Sequence, residues 1–347
     1  MKFPIKKTRH IWMWVILLFF VSLVGCRSNS GVGNASTAAK GESLPIVKVA
    51  INTWPGLGPY YVAKAKGFDK EQGIQLDVIM NEDTVGRNSS LAAGEVDLVG
   101  ITLDSVVISR SRGLPMTVIG QSDFSFGGDG IIATDAIKTV ADLKGKRIAC
   151  AEGLPSHFFL LLLLGKQGLG PKDFILVPAD DGSQAALLFT SGRVDAAVTW
   201  DPWISKAESL TKGHVLVTTR DAPRSLLGIV AANSDLLPQR KDRIYRSQKA
   251  WFKAVDYSRQ HPDEAAQIMA KEFNVPVDDF KRMAAGAQLA DLQEELNTFG
   301  TASKPGPVMQ LAKTANDIWL KSGAIKKAVD PNDVINWAVV DELRTEK

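Results

Sequence analysis

The chain has 347 residues, of which 45% are apolar and 23% charged, with a formal net charge of +3 and two cysteines. Lys2, Lys6, Lys7 and Arg9 carry four of the positive charges, so subtracting them leaves −1 for the chain from Cys26 onward. A pI near 8.7 therefore argues nothing for nucleic acid, since no Lys/Arg stripe with interleaved aromatics replaces the N-terminal cluster.

Those four cations precede an uncharged run from Ile11 to Gly25, the order of charged and apolar regions found in a secretory signal. The run falls short of the roughly 20 apolar residues that span a bilayer as a helix. It ends in Leu23-Val24-Gly25-Cys26, the small-residue pattern read in lipoprotein processing. Residues 1–25 accordingly read as a lipoprotein signal peptide and Cys26 as the lipidation site. Residues 26–44, rich in Ser, Gly, Asn and Ala, read as a flexible spacer. The expected location is the extracytoplasmic side of a membrane, held by the lipid. With Cys26 so used, Cys150 is alone, which excludes an internal disulfide and a thiolate metal site.

The remaining stretch of roughly 300 residues exceeds a usual single-core domain and favours two lobes. Val47–Ile51 reads as a strand, Tyr60–Lys66 as a helix and Ile74–Met80 as a strand, punctuated by Gly67 and Gly73. Ser89–Ala93 (helix), Val96–Ile101 (strand), Asp104–Arg112 (helix) and Met116–Gly120 (strand) continue the alternation, which predicts a parallel sheet covered on both faces. The pattern restarts after Gly127-Gly128. Strands are expected at Gly130–Thr134, Arg147–Ala151, Phe174–Pro178 and Val194–Thr199, with helices from Ser156 and from Ser183. The apolar run Phe158–Leu164 reads as a buried helix. A further strand is expected at Leu226–Ala232, and the rest is helical with Trp251, Phe252, Val255, Trp319 and Trp337 as core anchors.

Ala93-Gly94-Glu95-Val96-Asp97 is echoed by Ser191-Gly192-Arg193-Val194-Asp195, each between a helix and a strand. The strands that follow end at Thr102–Ser105 and at Trp200–Trp203, equivalent places at carboxyl ends where open α/β sheets bind ligands. Two such edges facing each other make a cleft for a small molecule.

At this point the sequence resembles the bacterial substrate-binding proteins of ABC importers, in the branch handling nitrate, sulfonates, taurine and pyrimidine precursors. Four segments carry the resemblance: Trp54-Pro55-Gly56 with Ala63, Gly67-Phe68 and Gly73-Ile74; Ala93 to Asp97; Val140 to Arg147; and Ser191 to Ala197 leading to Trp200-Asp201-Pro202-Trp203. The resemblance implies an α/β periplasmic-binding-protein fold of two doubly wound lobes with the ligand cleft between them. It places lobe 1 at 45–127 plus 230–347 and lobe 2 at 128–229, joined by a two-crossover hinge near Gly127 and Leu227. It also implies an ABC permease as partner, with no cofactor and a monomeric chain.

Candidate ligand contacts follow from loop position. Thr53 and Trp54 lie after the first strand, Glu82 and Asp83 after the second, Thr102 and Asp104 after the third, and Ser122 and Phe126 toward the crossing. Ser156, His157, Trp200, Asp201 and Trp203 are their counterparts in the second lobe. Helix N-termini favour an anionic group, whereas the tryptophans can cover an apolar part or face a cation. Ser156 serves equally as a helix N-cap, and a histidine beside it is commonly structural. Asp104, Asp123, Asp129, Asp180, Asp181 and Asp201 crowd these edges, either as ligands or as caps and a solvated rim. Arg87 and Arg224 are the main bases there, so an amine-bearing solute fits better than a bare anion. Asp201, inside the Trp-Asp-Pro motif, is the leading carboxylate.

The expected function is capture of a small amine-bearing or sulfonate-type solute, taurine-like, for import. Alternatives are a pyrimidine or other heterocyclic vitamin precursor, nitrate or bicarbonate, or a sensory lipoprotein. Eukaryotic relatives of the fold make the thiamine pyrimidine with a segment rich in cysteine and histidine. This chain lacks that segment, as well as the Gly-x-Ser-x-Gly and His-Glu-x-x-His motifs, so no enzyme is expected.

Overall fold

The computed structural model describes residues 43–211 and 213–345. The signal peptide, Cys26 and the spacer up to residue 42 lie outside the described residues. In chain order the strands are β1 (Ile46–Ile51), β2 (Gln75–Met80), β3 (Leu98–Thr102), β4 (Met116–Ser125), β5 (Asp129–Ala133), β6 (Arg147–Ala151), β7 (Ile175–Ala179), β8 (Ala196–Trp200), β9 (His214–Thr218), β10 (Leu227–Asn233) and β11 (Ala287–Leu289). They form one sheet of order β11-β4-β10-β3-β1-β2 and a second of order β7-β6-β8-β5-β9. No helix among the described residues is long and apolar enough to cross a membrane.

The expectation of parallel sheets needs correction: both sheets are mixed. β1 pairs in parallel with β2 and β3, and β6 with β7 and β8, but β5 runs antiparallel to β8 and β9, and β10 antiparallel to β3 and β4. The crossings explain this. β4 ends where the second sheet is closest, and the chain enters that sheet at the edge where β6 and β8 end, so β5 must run away from it. β10 does the same on the return. The short edge strand β11 is likewise antiparallel to β4.

The two crossings lie side by side. The Thr219 hydroxyl accepts from the Gly127 N–H at 2.7 Å and shares a hydrogen bond with the Ser125 hydroxyl at 2.8 Å, while the Ser125 N–H donates to the Leu226 carbonyl at 3.1 Å. Gly128 is sterically required here. A Cβ on it would lie 2.7 Å from both the Gly286 carbonyl oxygen and the Trp54 ring.

The repeated Gly-x-Val-Asp sequence is a repeated fastening. Gly94 (φ 73°) and Gly192 (φ 68°) adopt the left-handed conformation that ends a helix. Asp97 then accepts the Lys48 N–H on Oδ2 at 2.9 Å and donates its own N–H to the Lys48 carbonyl, and Asp195 does the same with Arg147 at 2.8 Å. Each aspartate thus pins the strand that follows it to the start of β1 or β6. Asp97 is additionally paired with Arg240 at 3.0 Å and Arg243 at 2.6 Å.

Trp251, Phe252, Val255, Trp319 and Trp337 are all buried, as is most of the helix Pro155–Lys166. Two elements extend beyond their sequence signals. The helix expected at Ser89 begins at Thr84, because the Asp83 carboxylate caps it by accepting the Val85 N–H at 3.0 Å. β4 continues five residues past Gly120 through Gln121-Ser122-Asp123, polar residues that are nonetheless buried.

Candidate functional site

The carboxyl ends of β1, β3 and β8 and the amino ends of β5 and β10 converge on a cleft with about 760 Å³ of empty space, part of it open to solvent. Trp54 and Trp200 line it, with Leu57, Leu154, Pro155 and Leu226 supplying apolar wall and Asn52, Thr84, Thr102, Ser105, Ser122 and Ser125 supplying polar groups.

Three buried charges also line the cleft: Asp123, Asp129 and Arg87. Asp123 sits on β4 beside the crossing. Its Oδ1 accepts the Trp54 indole N–H at 2.9 Å and its Oδ2 accepts the Ser122 hydroxyl at 2.7 Å. Burial pushes its carboxyl up to about 6, against the opposing effect of those two hydrogen bonds. Asp129 opens β5, and burial together with the nearby Asp123, Asp104 and Asp201 charges pushes it up to about 7, with the Ser125 hydroxyl opposing. Arg87 projects from the first turn of Thr84–Ala92. One terminal nitrogen donates to the Asn81 carbonyl and the other to the Thr84 hydroxyl at 3.2 Å, while Nε has no partner. Desolvation lowers its affinity for its proton, opposed by the charges of Glu82 and Asp83. Among the described residues, none of the three has an oppositely charged side chain within ion-pair distance.

These observations meet the comparisons with known proteins at one point, since a family model described as NMT1/THI5 like matches residues 54–265. The chain belongs to the NMT1/THI5-like family. It is 25% identical over 329 residues to the "Putative aliphatic sulfonates-binding protein" of Bacillus subtilis strain 168, covering 93% of each chain. The crystal structure of the periplasmic aliphatic sulphonate binding protein SsuA from Escherichia coli superposes with a TM-score of 0.71 at 19% identity, covering 86% of this chain and all of that one. The alkanesulfonate-binding protein SsuA of Xanthomonas axonopodis pv. citri, bound to MOPS, gives 0.68 at 18% identity over 84% and 99% of the two chains. The shared fold is the two-lobed α/β arrangement of periplasmic binding proteins.

Within this NMT1/THI5-like chain, Trp54, Thr102, Ser122 and Trp200 line the cleft. The other candidates lie beside it. The Thr53 N–H donates to Glu82 Oε1 at 2.9 Å, so both hold the loop, and Asp83 is the helix cap already described. Asp104 is buried behind Thr102 and Ser105, its carboxyl raised by burial to about 6, and its carbonyl accepts the Trp319 indole N–H at 3.0 Å. The Phe126 ring lies under the Arg220 guanidinium at 4.8 Å. Ser156 is 3.6 Å from the Cys150 sulfur, a buried thiol pushed up to about 12 by desolvation. His157 accepts the Gly153 N–H at 3.2 Å and packs at a tilt against the Trp319 ring, and burial lowers its proton affinity. Asp201 accepts both the N–H and the hydroxyl of Ser205, at 3.1 and 2.7 Å, and Trp203 lies under Lys206 at 4.5 Å. Arg224 pairs with Glu294 at 2.8 Å.

The carboxylates facing the cleft are therefore Asp123 and Asp129 rather than Asp201. A signal for them existed in their closeness to Gly127-Gly128, because residues flanking a crossing between facing sheets border the space between them.

Proposed function

We propose that the chain is the extracytoplasmic solute-binding component of an ABC importer, capturing a small amine-bearing or sulfonate-type organic solute by closing its lobes. In this reading lobe 1 comprises residues 45–127 and 230–347, lobe 2 comprises 128–229, and lipid on Cys26 tethers the protein near its permease. Ligand contact is assigned to Trp54, Thr102, Ser122 and Trp200 together with Asp123 and Asp129. The single observation that carries the reading is the pair Asp123 and Asp129, 1% and 7% exposed, which line one cleft without a cationic partner. An ammonium or amidinium group supplies the missing charge, and charge-assisted hydrogen bonds to buried carboxylates are the strong ones. The names of the relatives support a binding role and an organosulfonate among the solutes to test.

The test is a thermal-shift panel of alkylamines, alkanesulfonates, pyrimidines, nitrate and bicarbonate on the full-length protein. A ligand at 100 times its Kd stabilises by about 2.7 kcal/mol. Amine-bearing compounds should raise the midpoint and Asp123→Asn should abolish their effect. Stabilisation by simple anions alone would overturn the reading.

A further inference from the structure

Buried charges without counter-ions are costly, and this cleft holds them in both signs. Asp123 and Asp129 stand at the crossing, whereas Arg87, 3% exposed, projects from the helix that follows β2. In the first sheet β1, β3 and β10 separate β2 from β4. Four strand spacings of about 4.8 Å put those strands roughly 19 Å apart. Side chains on both sides shorten that gap across the cleft, but no ion pair joins Arg87 to Asp123 or Asp129 among the described residues. The Arg87 Nε is also buried without a hydrogen-bond acceptor. Its own neighbourhood compensates it only at a distance, through the charges of Glu82 and Asp83. Glu82 is engaged by the Thr53 N–H and Asp83 by the Val85 N–H, and neither forms an ion pair with the guanidinium.

Resting on the reading above and sharpening it, we infer that the ligand is a zwitterion whose oxyanion end meets Arg87 and Thr84 and whose ammonium end meets Asp123 and Asp129. Arg87 is then the specificity-determining residue that separates such solutes from simple amines. A sulfonate or a carboxylate provides the same chemistry at this end: oxygen acceptors for Nε–H and a charge that offsets the desolvated guanidinium. Asn52, Thr84 and Thr102, which also line the cleft, add neutral hydrogen-bonding groups. The apolar span between the ends faces Trp54 and Trp200.

Isothermal titration of the full-length protein with 3-aminopropanesulfonate, 4-aminobutyrate, butylamine and butanesulfonate tests this. At least one of the two zwitterions should bind ten-fold or more tighter than butylamine and butanesulfonate, and the preferred member identifies the oxyanion. Arg87→Gln should weaken that zwitterion at least ten-fold more than it weakens butylamine. Arg87→Lys, which keeps the charge, should restore part of the loss. Ligand-free unfolding midpoints verify that both variants fold. Butylamine binding as tightly as the zwitterions, or equal losses for both in Arg87→Gln, would overturn the inference while leaving the carboxylate reading intact. Failure of the amine and the zwitterions alike would overturn both.

Discussion

Glu295 offers a test of how the lobe that carries Arg87 and Asp123 is held together. It lies in the helix Leu292–Phe299 and is fully buried, and its carboxyl group accepts one hydrogen bond among the described residues, from the Gln121 N–H on Oε2 at 2.7 Å. Its Oε1 has no partner, nor do the side-chain oxygens of Gln121 and Gln248. A methyl group on Gly120 would stand 3.0 Å from both Gln248 Oε1 and Glu295 Oε2, so these acceptors share one spot. Desolvation pushes the Glu295 carboxyl from 4.5 up to about 8, the Gln121 N–H opposing, and the protonated form brings an O–H donor beside the unpaired Gln248 Oε1. A carboxyl raised in the folded state binds its proton more tightly there than in the unfolded chain. Its contribution is fully present below about 4.5 and is lost as pH rises through about 8. At 1.36 kcal/mol per pH unit the complete loss is roughly 5 kcal/mol. Glu295→Gln retains an acceptor for the Gln121 N–H but cannot ionise. In urea unfolding followed by tryptophan fluorescence, its stability should match the native protein within about 1 kcal/mol at pH 5 and exceed it by several kcal/mol at pH 9. A stability difference that stays constant between those pH values would refute the buried-acid argument.

Three further outcomes are expected. Gly128→Ala meets backbone at Gly286 as well as the Trp54 ring, so it should lower stability by about 1–3 kcal/mol and perturb tryptophan fluorescence; an unchanged urea midpoint would contradict this. Asp97→Ala leaves Arg240 and Arg243 unpaired and should cost about 3–5 kcal/mol, whereas Asp195→Ala, which removes one backbone hydrogen bond at a half-buried site, should cost about 1–2 kcal/mol. Equal losses would show that the arginines contribute nothing. Because Asp123 and Asp129 hold protons up to about 6 and 7, affinity for butylamine should fall below pH 6 by about ten-fold per pH unit or more. A flat titration profile from pH 5 to 8 would remove these carboxylates from the site.

Much of the architecture was legible because period and punctuation agree along this chain. Arg147–Ala151 matched its strand bounds, and Val47–Ile51 and Tyr60–Lys66 lay within one residue of theirs. Strand direction was not legible, since β5 and β10 look like any other apolar strand and their reversal follows from the crossings. β9 was missed: His214–Thr218 is a half-buried outer strand beside the glycine at 213. The site suffered from two boundaries. Ending β4 at Gly120 treated Gln121-Ser122-Asp123 as loop, although all three are buried and Ser122 and Asp123 line the cleft while bonding each other. Starting the helix before β3 at Ser89 left Arg87 outside it, because Asp83 caps through its side chain and Gly86 weakens the helical pattern. Trp54 and Trp200 were found because they lie at or just past the carboxyl ends of strands. Asp201 was favoured through its motif, but Ser205 absorbs its carboxylate locally.

The twin aspartate fastenings lie at the starts of the strands, whereas Asn52, Thr102, Leu154 and Trp200 lie at or beyond their ends. Each sheet is thus clamped at its back and open at its working rim. Residues at the rim are free to be exchanged for others of different charge or shape while the clamps keep the strands in register, so one scaffold accommodates a succession of chemically unlike solutes.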